Sequence, residues 1–167
     1  MKHEFDIGCD EGTSLALDQP EIERIGTVVL DQQGVKRPCF VSLSVVTDEH
    51  MQRLNHEWRQ VDAPTDVLSL ECERPDDPDL GEGEPCELGD IVLAPAYIER
   101  QARRFYTTPA DETRLLFVHG MLHLLGYDHI QEADAHRMQA CEDVLLAQLP
   151  TDHTLSHVVL ARHREDA

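Results

Sequence analysis

The apolar positions of this chain follow two periods, and the order in which the periods occur predicts its elements. "HEFDIG" alternates weakly and predicts an edge strand. In "QPEIERIGTVVLDQQG", Ile22, Ile25, Val28 and Val29 recur at helical spacing, with Pro20 near the start and Gly34 as a stop. "CFVSLSVV" is β-branched and alternating, with Phe40, Leu43 and Val45 among its apolar positions, and predicts a strand. Thr47 opens a predicted helix over 48–59, carried by Met51, Leu54 and Trp58. Two more predicted strands, "TDVLSLEC" and "LGDIVLA", flank "ERPDDPDLGEGEP", which reads as a solvated hairpin loop. Three helices follow: "PAYIERQARRFY", "PADETRLLFVHGMLHLL" and "EADAHRMQACEDVLLAQL", the last stopped by Pro150. Strands lie early in the chain, with helices among and after them. The expected fold class is α+β: a single domain, one mixed β-sheet of about four strands covered by helices. No repeat or linker divides it. The domain is expected over residues 1–150, with 151–167 as a partly disordered C-terminal tail.

One helix stands apart. From Arg114 to Leu125 it carries Leu115, Leu116, Phe117, Val118, Met121, Leu122, Leu124 and Leu125, which leaves almost no polar face. A helix apolar all round is buried, so this one is expected at the centre. His119 and His123 are four apart and share a face. An unpaired polar group in a core costs on the order of 1–3 kcal/mol, so the two imidazoles need partners. Gly126 ends the helix and turns the chain, which brings His129 back toward the pair. Three neutral imidazoles on one zinc, with a fourth position open, make a catalytic geometry. The central helix is therefore read as metal-binding. Two rivals use the same residues: packed core histidines with a surface His129, and a structural zinc closed by Asp128, His136 or Cys141.

The spacing H-x-x-x-H-x-x-G-x-x-H is that of the metzincin peptidases, yet Gly120 stands where they place the glutamate general base. A metal still lowers the pKa of its water toward about 7 without it. Phosphodiester cleavage makes a different demand, stabilisation of charge on the phosphoryl oxygens. An arginine near the metal would serve that.

Charge and composition narrow the field. The chain has 167 residues and a formal net charge of -19, with lysine only at Lys2 and Lys36. Its overall field will not attract nucleic acid, so phosphate recognition has to come from a local cluster of arginines. Arg100, Arg103 and Arg104, with Arg114, form the densest basic stretch and are expected either to line an RNA-binding groove or to form a solvated helix face. Five cysteines occur without a C-x-x-C pair and are expected as free thiols. No apolar run approaches the length of about 20 residues that a membrane span needs. "MKHEFDIGCDEG" has acids where a signal peptide has its apolar core. A soluble, cytoplasmic protein is expected, with neither membrane nor DNA as a partner.

Three blocks of the sequence resemble one family. "HGMLHLLGYDH" resembles the signature of the YbeY endoribonucleases, bacterial 16S rRNA maturation factors. "LNHEWRQVDAPTDVLSL" is similar to that family's L-N-x-x-[YW]-R-x-x-D-x-P-T-D-V-L-S-F, and "LGDIVLA" to its L-G-D-I-x-I-S. The resemblance runs from about Val41 to Leu146. It departs at Leu70, where phenylalanine is usual, and at Glu71, where proline is. It implies one histidine-bound metal ion, usually zinc, with other divalent transition metals possible. It implies cleavage of single-stranded RNA, 3′-end processing of the 16S rRNA precursor with the small subunit as partner, and a part in ribosome quality control. By the same resemblance the metal ligands are His119, His123 and His129, and the catalytic arginine is Arg59. Read alone, Arg59 serves equally as a cation at a helix C-terminus. Thr65 and Asp66 are expected in the scaffold or the substrate channel, and Asp128 either behind a ligand imidazole or as a solvated turn carboxylate. Two alternatives stay open: a metzincin-like metallopeptidase, and a non-enzymatic zinc-stabilised ribosome-assembly module with a fourth protein ligand.

Overall fold

Alternation within the strands decides how the layers stack. β1 (Glu4–Cys9), β2 (Cys39–Val45), β3 (Val67–Glu71) and β4 (Cys86–Leu93) form one sheet in the order β1-β2-β4-β3. β1, β2 and β4 run parallel, and β3 pairs antiparallel with β4 across the hairpin. Val41, Leu43, Ile91 and Leu93 face one side of this sheet and join the larger core. Leu68 and Val92 face the other side and meet Met51 and Leu54. The coordinates are a computed structural model describing residues 2–128 and 130–149. Among the described residues five helices complete the fold: α1 (Gln19–Gln32), α2 (Asp48–Arg59), α3 (Pro95–Arg104), α4 (Pro109–Leu124) and α5 (Glu132–Ala147).

The α+β class, the single mixed sheet of four strands and the element order all agree with the sequence expectation. β1 is the edge strand that its weak alternation suggested. Cys9, Cys39, Cys72, Cys86 and Cys141 are free. Burial pushes the Cys39 thiol up to about 11 and the Cys86 thiol up to about 12, so both stay protonated and unreactive. No described helix is long and apolar enough to cross a membrane. The expected tail, 151–167, lies outside the described residues.

α4 occupies the centre, as its all-round apolar surface requires. From Leu115 to Leu124 every residue but His119 and His123 is buried. Asp111, Glu112 and Arg114, near its start, are buried as well. Arg114 donates to Asp111 at 2.6 Å and to Glu21 of α1 at 3.3 Å. Arg114 is thus withdrawn from any RNA-binding groove, because a buried arginine must be paired to offset its desolvation.

α2 is fixed at both ends, and this matters because it ends on Arg59. At its start the Thr47 hydroxyl accepts from His50 N–H at 3.2 Å. Asp10, just past β1, accepts from Thr47 N–H at 3.1 Å and bonds the His50 ring at 2.8 Å. The His50 hydrogen bond, helped by the Thr47 N–H, holds the Asp10 carboxyl below its ordinary value. A depressed carboxyl stabilises the fold above its unfolded pKa and loses that contribution as pH falls through the folded value, here below about 4. Asp10→Asn is therefore expected to lower the urea midpoint at pH 7. The gap to the parent should shrink toward pH 3, and a gap independent of pH would contradict this role.

Candidate active site

A cavity of about 500 Å³ opens where α2, α3, α4 and α5 meet β3, and His119, His123, Arg59, Arg104, Asp66 and Glu142 are among its lining residues. His119 and His123 reach it from one face of α4, as the four-residue spacing predicts. Their Nε2 atoms stand 3.1 Å apart, with ring planes at 78°. Two nitrogens bound to one zinc at about 2.0–2.1 Å in tetrahedral geometry are separated by about 3.3 Å. The pair therefore fits a shared ion. Behind it, His119 Nδ1 bonds the Glu142 carboxylate at 2.6 Å. Glu142 is only 3% exposed. Among the described residues no group of three or more His, Cys, Asp or Glu is arranged to hold a metal. The third expected ligand, His129, lies outside the described residues.

The turn after α4 is built as its glycine suggested. Gly126 has φ 102°, donates to His123 O at 3.0 Å, and Tyr127 N–H donates to Leu122 O at 3.0 Å. These are the two bonds of a Schellman cap. The Tyr127 hydroxyl donates to Gln33, just past α1, at 2.7 Å and accepts from the Cys141 thiol at 3.3 Å. Cys141 is thereby occupied with Tyr127. His136 is exposed and does not line the cavity. Asp128 accepts from Ile130 N–H at 3.2 Å in the turn. None of the three lines the cavity.

Gly120 is explained by packing. A Cβ there would come within 3.2 Å of both Ser69 Oγ and Ile91 Cγ2. The helix rests on β3 and β4 at this point, and the Ser69 hydroxyl donates to Gly120 O at 3.4 Å. The face on which a peptidase carries its base is here pressed against the sheet.

Arg59 is exposed on the rim. Its placement comes from the helix end. Gln60 takes the left-handed conformation, φ 58°, and donates to His56 O at 3.0 Å. Buried Asn55 donates to Ala63 O at 2.8 Å, and Gln52 to Asp62 at 3.0 Å. These bonds fold the segment after α2 back, so Thr65 and Asp66 join Arg59 at the cavity. Asp66 in turn accepts from Gln101 at 2.8 Å, and Gln101 also donates to buried Glu112 at 3.1 Å. Thr65 and Asp66 thus belong to the cavity wall.

The three expected RNA-binding arginines are not brought together. Arg104 lines the cavity, with its guanidinium carbon 5.4 Å from the Phe105 ring centroid. Arg100 pairs with Asp48 at 2.6 Å and sits over the Tyr97 ring. Arg103 pairs with Glu99 at 2.6 Å. Neither Arg100 nor Arg103 lines the cavity. Their offsets of three and four put the three on one side of α3, and what separates them is their partners: Arg100 and Arg103 are held by surface carboxylates while Arg104 lines the cavity.

Sequence reasoning missed Glu142. The available signal was an acid within the buried stripe Met138, Glu142, Leu145 and Leu146 of α5; a carboxylate at such a position needs a partner.

Comparison with known proteins bears on the same residues. The family model described as Endoribonuclease YbeY matches residues 10–150, most of the chain and every element from α1 onward. The chain belongs to the YbeY endoribonuclease family. An Endoribonuclease YbeY of Chloroflexus aurantiacus is 37% identical over 155 residues, covering 89% of this chain and 97% of the relative. That of Desulfitobacterium hafniense is 39% identical over 141 residues, 78% of this chain and 90% of the relative. The solution structure of TM1509 from Thermotoga maritima aligns with a TM-score of 0.57 over 97% of this chain and 93% of that one, at 22% identity. That likeness concerns the fold. The YbeY match includes both cavity histidines, Arg59 and Glu142.

Proposed function

We propose that this protein is a cytoplasmic, metal-dependent endoribonuclease that cleaves single-stranded RNA during 3′-end maturation of 16S rRNA and in ribosome quality control. The observation that carries the reading is one cavity holding two convergent imidazoles and the rim arginine Arg59. Membership of the endoribonuclease YbeY family supports the reaction class. His119 and His123, with His129, would hold one zinc or similar divalent ion. A zinc ion in such a site supplies Lewis acidity toward a phosphoryl oxygen.

The protein's own groups do the rest. Arg59 offers a planar fork of donors that matches two phosphate oxygens and neutralises charge gathering on them. Its exposure allows it to follow a flexible strand. Arg104 supplies a second positive charge inside the cavity. The remaining surface is strongly acidic, so RNA is held locally at the cavity and not drawn in by the whole molecule. The 16S precursor and the small subunit are the proposed partners.

The test is 3′-end mapping of 16S rRNA in cells whose only copy of this protein carries Arg59→Ala or His119→Ala. Both are expected to accumulate unprocessed ends. Normal ends in both would overturn the reading.

A further inference from the structure

Glu142 of α5 bonds a cavity histidine, and that bond is short. Its carboxylate sits 2.6 Å from His119 Nδ1, and the side chain is 4% exposed. A carboxylate taken so far out of water needs a donor aimed at it. His119 supplies one only if Nδ1 carries the proton. The same ring's Nε2 points at His123 Nε2 across 3.1 Å, inside the cavity.

The geometry points to Glu142 as a positioning residue that locks His119 in the Nδ1–H tautomer, with the Nε2 lone pair presented to the cavity. This rests on the proposed metal site and deepens it. The His119 Nε2 lone pair is thereby aimed into the cavity that it shares with His123. Glu142 prepares one donor of the pair, and its contribution to affinity comes from that preparation.

The position on α5 suits the role. Glu142 reaches α4 from a different helix, so the imidazole is held against a buried anchor rather than by its own backbone. Met138 and Leu146, one turn either side, are buried with it. The whole α4–α5 contact fixes the carboxylate, and the carboxylate fixes the ring.

Two measurements on the full chain test this. Zinc affinity is read by competition with a chromophoric chelator. Histidine tautomers of the metal-free protein are read from ring nitrogen-15 chemical shifts. Glu142→Ala is expected to weaken zinc binding about 10–100-fold and to release His119 into a mixture of tautomers. Glu142→Gln keeps an oxygen that accepts from Nδ1–H, so it should retain the tautomer and lose only part of the affinity. It also keeps the test usable if the alanine variant fails to fold. Unchanged zinc affinity in Glu142→Ala overturns the assignment. So does weaker binding with the His119 tautomer unmoved. A parent protein that binds no zinc overturns the metal reading alone, and the tautomer measurement still decides what Glu142 does.

Discussion

Arg59→Ala is expected to slow cleavage of single-stranded RNA by roughly 10²–10³-fold, the usual cost of removing one preorganised charge-stabilising donor. The loss should fall on catalysis and not on the fold. Arg59 is exposed at the last position of α2, and surface substitutions away from caps and cores shift stability by about 0.5 kcal/mol or less. The residues that place it are different ones: Asn55, whose amide holds the following segment at Ala63 O, and Gln60, whose left-handed backbone ends the helix. Urea midpoint and zinc affinity should therefore match the parent. Arg59→Lys keeps the charge and loses the bidentate fork, so it should recover part of the rate. Rates for Arg59→Ala within a few-fold of the parent would remove the arginine from the proposed mechanism.

The second large effect concerns the position that sets this chain apart from the peptidases. Gly120→Glu restores the letters of the peptidase motif and is expected to destabilise the fold by about 3 kcal/mol or more, without creating peptidase activity. The first added carbon already stands 3.2 Å from Ile91 and Ser69, and the rest of the side chain would push a charge between α4 and the sheet. Gly120→Ala separates the two causes. It meets the same tight contact but gains about 1 kcal/mol in helix propensity over glycine, so it should cost far less. Urea unfolding with a zinc-supplemented casein assay reads both. A stable, proteolytic Gly120→Glu variant would contradict the packing account and revive the peptidase reading.

The fold was legible because local signals agreed with one another. Thr47, Pro20 and Pro109 sit at or beside the helix starts they suggest, and Gly126 turns the chain after α4. The hairpin between β3 and β4 falls on the acidic, proline-rich stretch. The pairing of His119 with His123 followed from helical period alone. What sequence could not give depends on contacts between elements far apart in the chain. Glu142 approaches His119 across 23 residues, and Arg114 reaches Glu21 across 93. The basic stretch shares one side of α3, as its spacing requires, but the carboxylates that pair with Arg100 and Arg103 at the surface, while Arg104 lines the cavity, are contacts that the spacing does not show. Gly120 first reads as a missing base, and only the sheet beneath α4 gives it a positive reason.

Cleavage of a single-stranded RNA oligonucleotide by the purified protein, with zinc added back after chelation, tests the central claim most directly. The account predicts internal cleavage with zinc, none with chelator, little on the same sequence held in a duplex, and none by His119→Ala under any condition. Undiminished cleavage in chelator, or by His119→Ala, would contradict it.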